Sequence, residues 1–379
     1  MKETPLPSFD LIRNWNRVRD ETLAAINIVL EGQHFILGPE VEALEKDLAA
    51  YLGTPFTVGC ASGTDALLLA LMALDLGPGD EVITTPFSFF ATASCITRLG
   101  ATPVFADVNP DSYNIDPQEV LRKITPKTKA VIPVHLFGQM ARVEEFAPRL
   151  EEQGIRIVED CAQAIGSTRI VGGKIQRAGT MGELGCFSFF PTKNLGCFGD
   201  GGMISVSSEG LNKRLRSLRA HGSGEQYFHD EIGLNSRLDE LQAAILRVRF
   251  RHLETWNEER RLVAERYRIL LAEQDLGEWV IPPLEEKGNR HIYHQYVLRC
   301  RSRDLLKEYL AERGIATRVY YPLSLHLQPC FSYLGYARGD MPLSERLTEE
   351  VLALPVFPEL EPEEQERVVQ AISDFYGGR

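Results

Sequence analysis

The sequence predicts an α/β protein, in which a largely parallel, doubly wound sheet precedes a smaller unit of mixed α and β structure. Three observations predict it. Short apolar runs alternate with helical patterns over roughly 150 residues. Several of these runs are apolar on both faces, as in a sheet covered by helices on each side. After Asn235 the texture changes to a long stretch dense in Glu and Arg.

The runs at 57–61, 81–85, 102–108, 130–135, 156–160, 185–189 and 202–206 read as strands, and several are rich in Val and Ile. Between them, 63–74, 90–99, 117–124 and 143–153 read as helices. Ligands of such sheets lie at the C-terminal strand ends, so polar residues just after each run are the ones to examine. Residues 236–273 then read as one long helix, with Leu on one face and Glu and Arg on the other. A loop at 281–289 with Pro282 and Pro283 follows, then a strand near 295–299 and helices at 303–313 and 362–376. The domain boundary is expected inside the long helix, near residue 250. That gives a large domain at 1–250, with an N-terminal helical segment, and a small α/β domain at 251–379.

Composition narrows the function. The chain has 379 residues, 41 basic against 53 acidic, for a formal net charge of -12. No basic run overrides that balance, so neither nucleic acid nor a membrane surface is an expected partner. The seven cysteines form no CxxC pair, so no zinc ribbon is expected and no metal is assigned. The N-terminal stretch MKETPLPSFDLIRN carries no apolar core of a signal peptide, and the longest plain apolar run, 66–74, is too short to span a bilayer. A reduced, cytoplasmic protein is expected.

Four stretches end proposed strands with chemistry-bearing residues. Ser62, Gly63 and Thr64 open a helix, where free N–H groups and the dipole favour an anion, although a plain helix cap is the commoner use of such residues. Asp160 closes the run 156–160 and suits a metal, a ribose or a protonated ring nitrogen, or a cap. Lys193 follows the apolar run 185–189, with Ser188 five residues before it. A lysine beside aromatic groups can lose proton affinity and attack a carbonyl, although most lysines are solvated surface groups. Phe89, in TPFSFFAT, offers a ring for stacking on a planar cofactor, or a core side chain. The glycines at 196, 199, 201 and 202 are not a GxGxxG fingerprint, and a nicotinamide dehydrogenase is disfavoured. Jointly the four stretches supply a phosphate anchor, a stacking ring, a pyridinium partner and a Schiff-base lysine, the set that pyridoxal 5'-phosphate needs.

The stretches SGTDAL, TPFSFFATA, VEDCAQAIGS, SFFPTKNLGCFGDGG and NSRLDELQAAIL resemble the sugar aminotransferases of the DegT/DnrJ/EryC1/StrS family, as do the opening GPEVEALEKDLAAYLG and the late YYPLSLHLQPCF. The resemblance runs from about residue 30 to the C-terminus. It implies a fold-type I pyridoxal phosphate enzyme with a seven-stranded, mostly parallel sheet in the large domain, working as a homodimer. It implies that Lys193 bonds the cofactor and shuttles the proton, and that Asp160 pairs with the pyridinium nitrogen. Gln163 would reach the ring hydroxyl and Phe89 would stack on the ring. Ser62, Gly63, Thr64 and Ser188 would hold the phosphate, and Asn235 would reach into the partner's site.

The implied reaction takes an amino group from an amino acid, L-glutamate, to a nucleotide-linked keto sugar. The segment 227–246 and YPLSLHLQP resemble the branch acting on 3-keto sugars, UDP-linked 3-keto uronates or dTDP-linked 3-keto-6-deoxyhexoses. The alternatives are a 4-keto sugar, a keto-cyclitol, and a cofactor-binding dehydratase or regulator. The dehydratase branch replaces the lysine with histidine, whereas Lys193 is present here. Arg237 is a candidate for a sugar carboxylate or diphosphate, against an ion pair with Asp239 or Glu240. Tyr320 and His326 are candidate sugar contacts, against a packed pair between domains.

Overall fold

The structure is a computed structural model and describes residues 4–225, 227–277 and 279–377. Its centre is a seven-stranded sheet. In chain order the strands are β1 (Phe56–Cys60), β2 (Glu81–Thr84), β3 (Thr102–Phe105), β4 (Thr128–Ile132), β5 (Arg156–Asp160), β6 (Leu184–Ser188) and β7 (Gly202–Val206). Their spatial order is β1-β7-β6-β5-β4-β2-β3, and only β7 runs antiparallel to its neighbours. The expected seven-stranded, mostly parallel sheet is therefore present, with strand ends displaced by up to three residues from the predicted ones.

The two-faced apolar pattern has a direct cause. Val82, Ala130, Val158, Cys186 and Ile204 face one layer, which includes the helices Gly63–Ala73, Ala91–Arg98 and Glu209–Leu218. Their immediate neighbours Ile83, Val131, Ile157, Phe187 and Met203 face the opposite layer, which includes the helices Pro39–Leu52 and Glu240–Phe250. Each strand thus needs apolar residues at consecutive positions.

Two predicted helices are broken. The one at 143–153 divides into a short 3₁₀ turn, Val143–Glu145, and the helix Ala147–Glu152, because Pro148 starts a helix well but cannot continue one. The stretch 236–273 is two helices, Glu240–Phe250 and Leu253–Glu273. The chain turns at Arg251 and His252, where the His252 ring stacks on Trp256 with centroids 5.5 Å apart.

The helix begins at Glu240 rather than Ser236 because backbone bridges from Asn235 to Ala220 and from Asp239 to Ile36 hold the preceding residues extended, and Glu240 itself has a remote task. Its buried carboxylate accepts the N–H groups of Gly38 (2.8 Å), Glu40 (2.9 Å) and Val41 (2.9 Å) at the start of the helix Pro39–Leu52. Glu240→Ala would leave these donors unmet, at about 3 kcal/mol. A fall of several degrees in thermal midpoint is expected for that variant, and an unchanged midpoint would contradict the role.

A second sheet, antiparallel, is made by Val280–Ile281, Tyr296–Cys300 and Val351–Leu354 in that order. The helices Leu253–Glu273, Arg303–Glu312 and Pro362–Gly377 pack on it around Tyr267, Leu298, Leu306, Leu310, Leu352 and Ile372. Leu6 joins this core through a bridge to Ile315, so the first described residues pack with the last. Among the described residues no helix is long and apolar enough to cross a membrane.

Candidate active site

The parallel strands β1, β2, β4, β5 and β6 end on one edge of the sheet, and β7 begins there. A cavity of about 790 Å³ opens at that edge. Ser62, Gly63, Thr64, Phe89, Asp160, Gln163, Ser188, Lys193 and Tyr320 all line it. Residues far apart in sequence are thus brought to one wall only where strand order allows it: β5 and β6 are neighbours, with Asp160 opposite Cys186, so Asp160 and Ser188 emerge side by side.

The helix Gly63–Ala73 points its N-terminus at the cavity. Ser62 caps it by accepting the Asp65 N–H (3.1 Å), and helix geometry leaves the Gly63 and Thr64 N–H groups without intrahelical partners. The cup is compressed. A Cβ on Gly63 would stand 2.6 Å from the Ser188 Cβ, and one on Gly202 would stand 2.3 Å from the Ser62 carbonyl oxygen. Only glycine lets three chain segments converge there.

Asp160 is buried, and burial pushes its pKa up. Hydrogen bonds from the Thr92 hydroxyl (2.8 Å) and the Ala162 N–H (3.1 Å) pull it back, as does the charge of Lys193. Lys193 shows the converse effect. Burial lowers its pKa to about 8, and Asp160 opposes that fall. Near neutral pH Lys193 then holds a larger share of free amine than an ordinary lysine does. Covalent capture of pyridoxal 5'-phosphate by the apoprotein, followed by absorbance, is expected to rise with pH and level off above about 8. A rise continuing to the range of a solvated lysine would contradict this.

Gln163 is fixed from both ends: its Oε1 accepts the Phe137 N–H (2.7 Å), and its Nε2 donates to the Tyr321 hydroxyl (3.1 Å). Phe89 stands 57% exposed at the cavity wall, with its ring 6.5 Å from that of Tyr321. The neighbouring Phe87 is instead core, edge-on to Phe137.

Three predicted residues lie elsewhere. Asn235 is exposed and does not line this chain's cavity. Arg237 is half-buried, outside the cavity, and its Nε has no hydrogen-bond partner among the described residues. The alternative ion pair with Glu240 is not formed, since Glu240 caps the helix Pro39–Leu52. His326 is the correction to the sugar-contact set. It is buried against Phe105 and Tyr336, with Nε2 3.1 Å from Glu345, because the turn Leu325–Leu327 points it into the core.

The cavity also holds residues that sequence reasoning missed: Ser88, His294, Gln295, Arg318 and Tyr321 line it, and Thr92 lies just behind. Ser88 and Thr92 fall within TPFSFFATA, where hydroxyls beside an aromatic pair were the available signal. The trio His135, Glu159 and Cys161 is close enough to hold a metal. Two of the three are committed: Glu159 accepts from His135 Nε2 and from the Gly179, Met181 and Gly182 N–H groups, while His135 Nδ1 accepts from Ala141. This is a structural clasp beneath Asp160.

A compressed cup at a helix N-terminus, an exposed ring, a buried carboxylate and a lysine of lowered pKa fit a phosphorylated, planar, basic aldehyde. The comparisons agree. The profile of the DegT/DnrJ/EryC1/StrS aminotransferase family matches residues 16–373. A pleiotropic regulatory protein of Geobacillus stearothermophilus is 48% identical over 98% of each chain. A UDP-N-acetyl-3-dehydro-alpha-D-glucosamine 3-aminotransferase of Acidithiobacillus ferrooxidans is 45% identical, again over 98% of each. The crystal structure of S. venezuelae DesV in complex with a ketimine intermediate superposes with a TM-score of 0.94 at 39% identity, covering 98% of this chain and 99% of that one.

Proposed function

The chain belongs to the DegT/DnrJ/EryC1/StrS aminotransferase family, and on that premise we propose that it transfers an amino group from L-glutamate to the C-3 ketone of a nucleotide-linked sugar. The family's cofactor is pyridoxal 5'-phosphate. When bound, it supplies an electron sink for the carbon that loses its proton. The chain's own residues do the rest. Ser62, Gly63, Thr64 and Ser188 bind the phosphate. Phe89 covers one ring face, and Gln163, held by Phe137 and Tyr321, orients its remaining amide N–H toward the ring hydroxyl. Asp160 holds a proton on the ring nitrogen. Lys193 takes the proton from the donor's α-carbon and later returns one to the sugar's C-3.

The observation that carries C-3 regiochemistry is the 45% identity, over nearly all of both chains, to the UDP-sugar 3-aminotransferase. UDP-linked 3-keto uronates and dTDP-linked 3-keto-6-deoxyhexoses are the sugars of choice, with Tyr320 on the cavity wall as a sugar contact. The Geobacillus relative carries a regulatory name, but Lys193 and Asp160 facing one cavity support catalysis in this chain. A homodimer is part of the reading. Asn235 is exposed beside the exposed apolar side chains of Tyr227, Phe228 and Ile232, which suits a segment covered by a second copy and reaching its site.

The test starts from protein converted by L-glutamate to its pyridoxamine form. Each 3-keto substrate is added while the visible cofactor absorbance is followed. Return of the absorbance with either one supports C-3 amination and identifies the nucleotide. No return with both, and return with a 4-keto sugar, would overturn the C-3 assignment.

A further inference from the structure

Asp160 is not held by the backbone alone. Its Oδ2 accepts from Thr92 Oγ1 at 2.8 Å, and Thr92 Oγ1 lies 2.9 Å from Ser88 Oγ. All three side chains are buried. A threonine hydroxyl has one proton, and an ionised carboxylate has none to give. Thr92 therefore donates to Asp160, and Ser88 donates to Thr92. Ser88 in turn lines the cavity. The arrangement is not the default for a helical threonine. Thr22 and Thr97 each donate back to the carbonyl four residues earlier, Val18 and Ala93, whereas Thr92 turns away from its own helix to the end of β5.

We propose that Ser88 and Thr92 form a hydroxyl relay that positions Asp160 and keeps it ionised, and so set the strength with which the chain grips the cofactor's ring nitrogen. A buried carboxylate needs donors to remain charged. Among the described residues, Asp160 has only the Ala162 N–H besides Thr92. The other groups facing it do not substitute. Lys193 acts on it as a charge and, among the described residues' hydrogen bonds, gives it none. His135 donates its Nε2 proton to Glu159. The Cys95, Cys161 and Cys186 thiols and the Tyr321 phenol are pushed up by burial and carry no charge near neutrality. Thr92 and Ser88 are positioning residues: Thr92 touches the carboxylate, Ser88 touches Thr92, and both act through Asp160.

The inference rests on Asp160 facing the ring nitrogen, and not on the identity of the sugar. The test is equilibrium binding of pyridoxamine 5'-phosphate to the apoprotein from about pH 5 to about pH 9, which needs neither turnover nor the lysine bond. The ligand's own titration is common to every variant and drops out of the comparison. In the wild type, affinity falls on the acid side as Asp160 takes up a proton. Thr92→Val is isosteric; it is expected to weaken binding about tenfold at neutral pH and to move the acid limb up by about one pH unit. Thr92→Ser restores both. Ser88→Ala gives a smaller shift in the same direction and carries the test should Thr92→Val fail to fold. Wild-type affinity and limb in Thr92→Val, or in Ser88→Ala in its place, would overturn the relay. Asp160→Asn separates the two levels. If it too binds like the wild type, the placement of Asp160 fails; if it alone is impaired, only the relay fails.

Discussion

Lys193→Ala is expected to lower turnover by at least about four orders of magnitude while leaving pyridoxamine 5'-phosphate able to bind. Two contributions vanish together. One is the amine that captures the cofactor; the other is the base that moves the proton between donor, cofactor and sugar, and such groups each contribute about a hundredfold or more. Among the described residues, no second amine lines the cavity. His294 does line it, and burial with the nearby charges of Lys193 and Arg260 lowers its pKa well below the usual range, so it is a poor acceptor in place of the lysine. The phosphate cup, the ring of Phe89 and the carboxylate of Asp160 remain, which is why binding survives. Single-turnover measurement of the L-glutamate half-reaction checks the claim. A variant within tenfold of the wild type would remove Lys193 from the mechanism.

Why so much of this was readable lies in the sheet. Strands covered on both faces need consecutive apolar residues, and that pattern does not depend on knowing the partners. All seven central strands were visible for that reason. An N-terminal helical segment was expected, but the bounds Leu11–Gly32 were not, because Asn14 and Thr22 are among the few residues it buries, while Leu11, Ile12, Leu23 and Ile28 stay exposed. No apolar stripe marks its inner face. The turn at Arg251 and His252 has neither Pro nor Gly to announce it. The hairpin Thr168–Val171 to Lys174–Arg177 was legible and overlooked. Gly172 and Gly173 both adopt positive φ, 56° and 78°, and a Gly-Gly pair between short strands is a strong hairpin signal.

At the site, Asp160 and Lys193 could be found because each ends or follows a strand, where sequence position implies place. The task of Thr92 could not, because it depends on the helix Ala91–Arg98 after β2 reaching past β4 to the end of β5, and neither its sequence neighbours nor its helical pattern says so. His326 failed for the opposite reason. Its motif is distinctive, but a distinctive histidine says nothing about which side of a 3₁₀ turn it occupies.

Asp160→Asn should separate function from stability more cleanly than any other substitution. Turnover is expected to fall about a thousandfold, since the carboxylate that holds the ring nitrogen protonated is gone. The apoprotein should be no less stable, and more stable above about neutral pH. Burial raises the Asp160 pKa in the folded chain above its unfolded value. A carboxyl whose folded pKa is raised binds its proton more tightly when folded, so it stabilises the fold only at acid pH. That contribution is lost as pH rises from the unfolded value of about 3.9 through the folded one, beyond which ionisation in the buried wall is a net cost. Asparagine never ionises, so that cost disappears; its one amide oxygen can still accept from Thr92, and the hydrogen bond from the Ala162 N–H is the smaller loss set against it. Thermal midpoints of apo wild type and variant across pH should therefore converge in acid and diverge in favour of the variant toward neutrality. A carboxylate retained for packing would show the reverse, with the variant melting lower at neutral pH. Loss of turnover combined with gain of apo stability identifies Asp160 as a charge buried for chemistry and kept there at the expense of the fold.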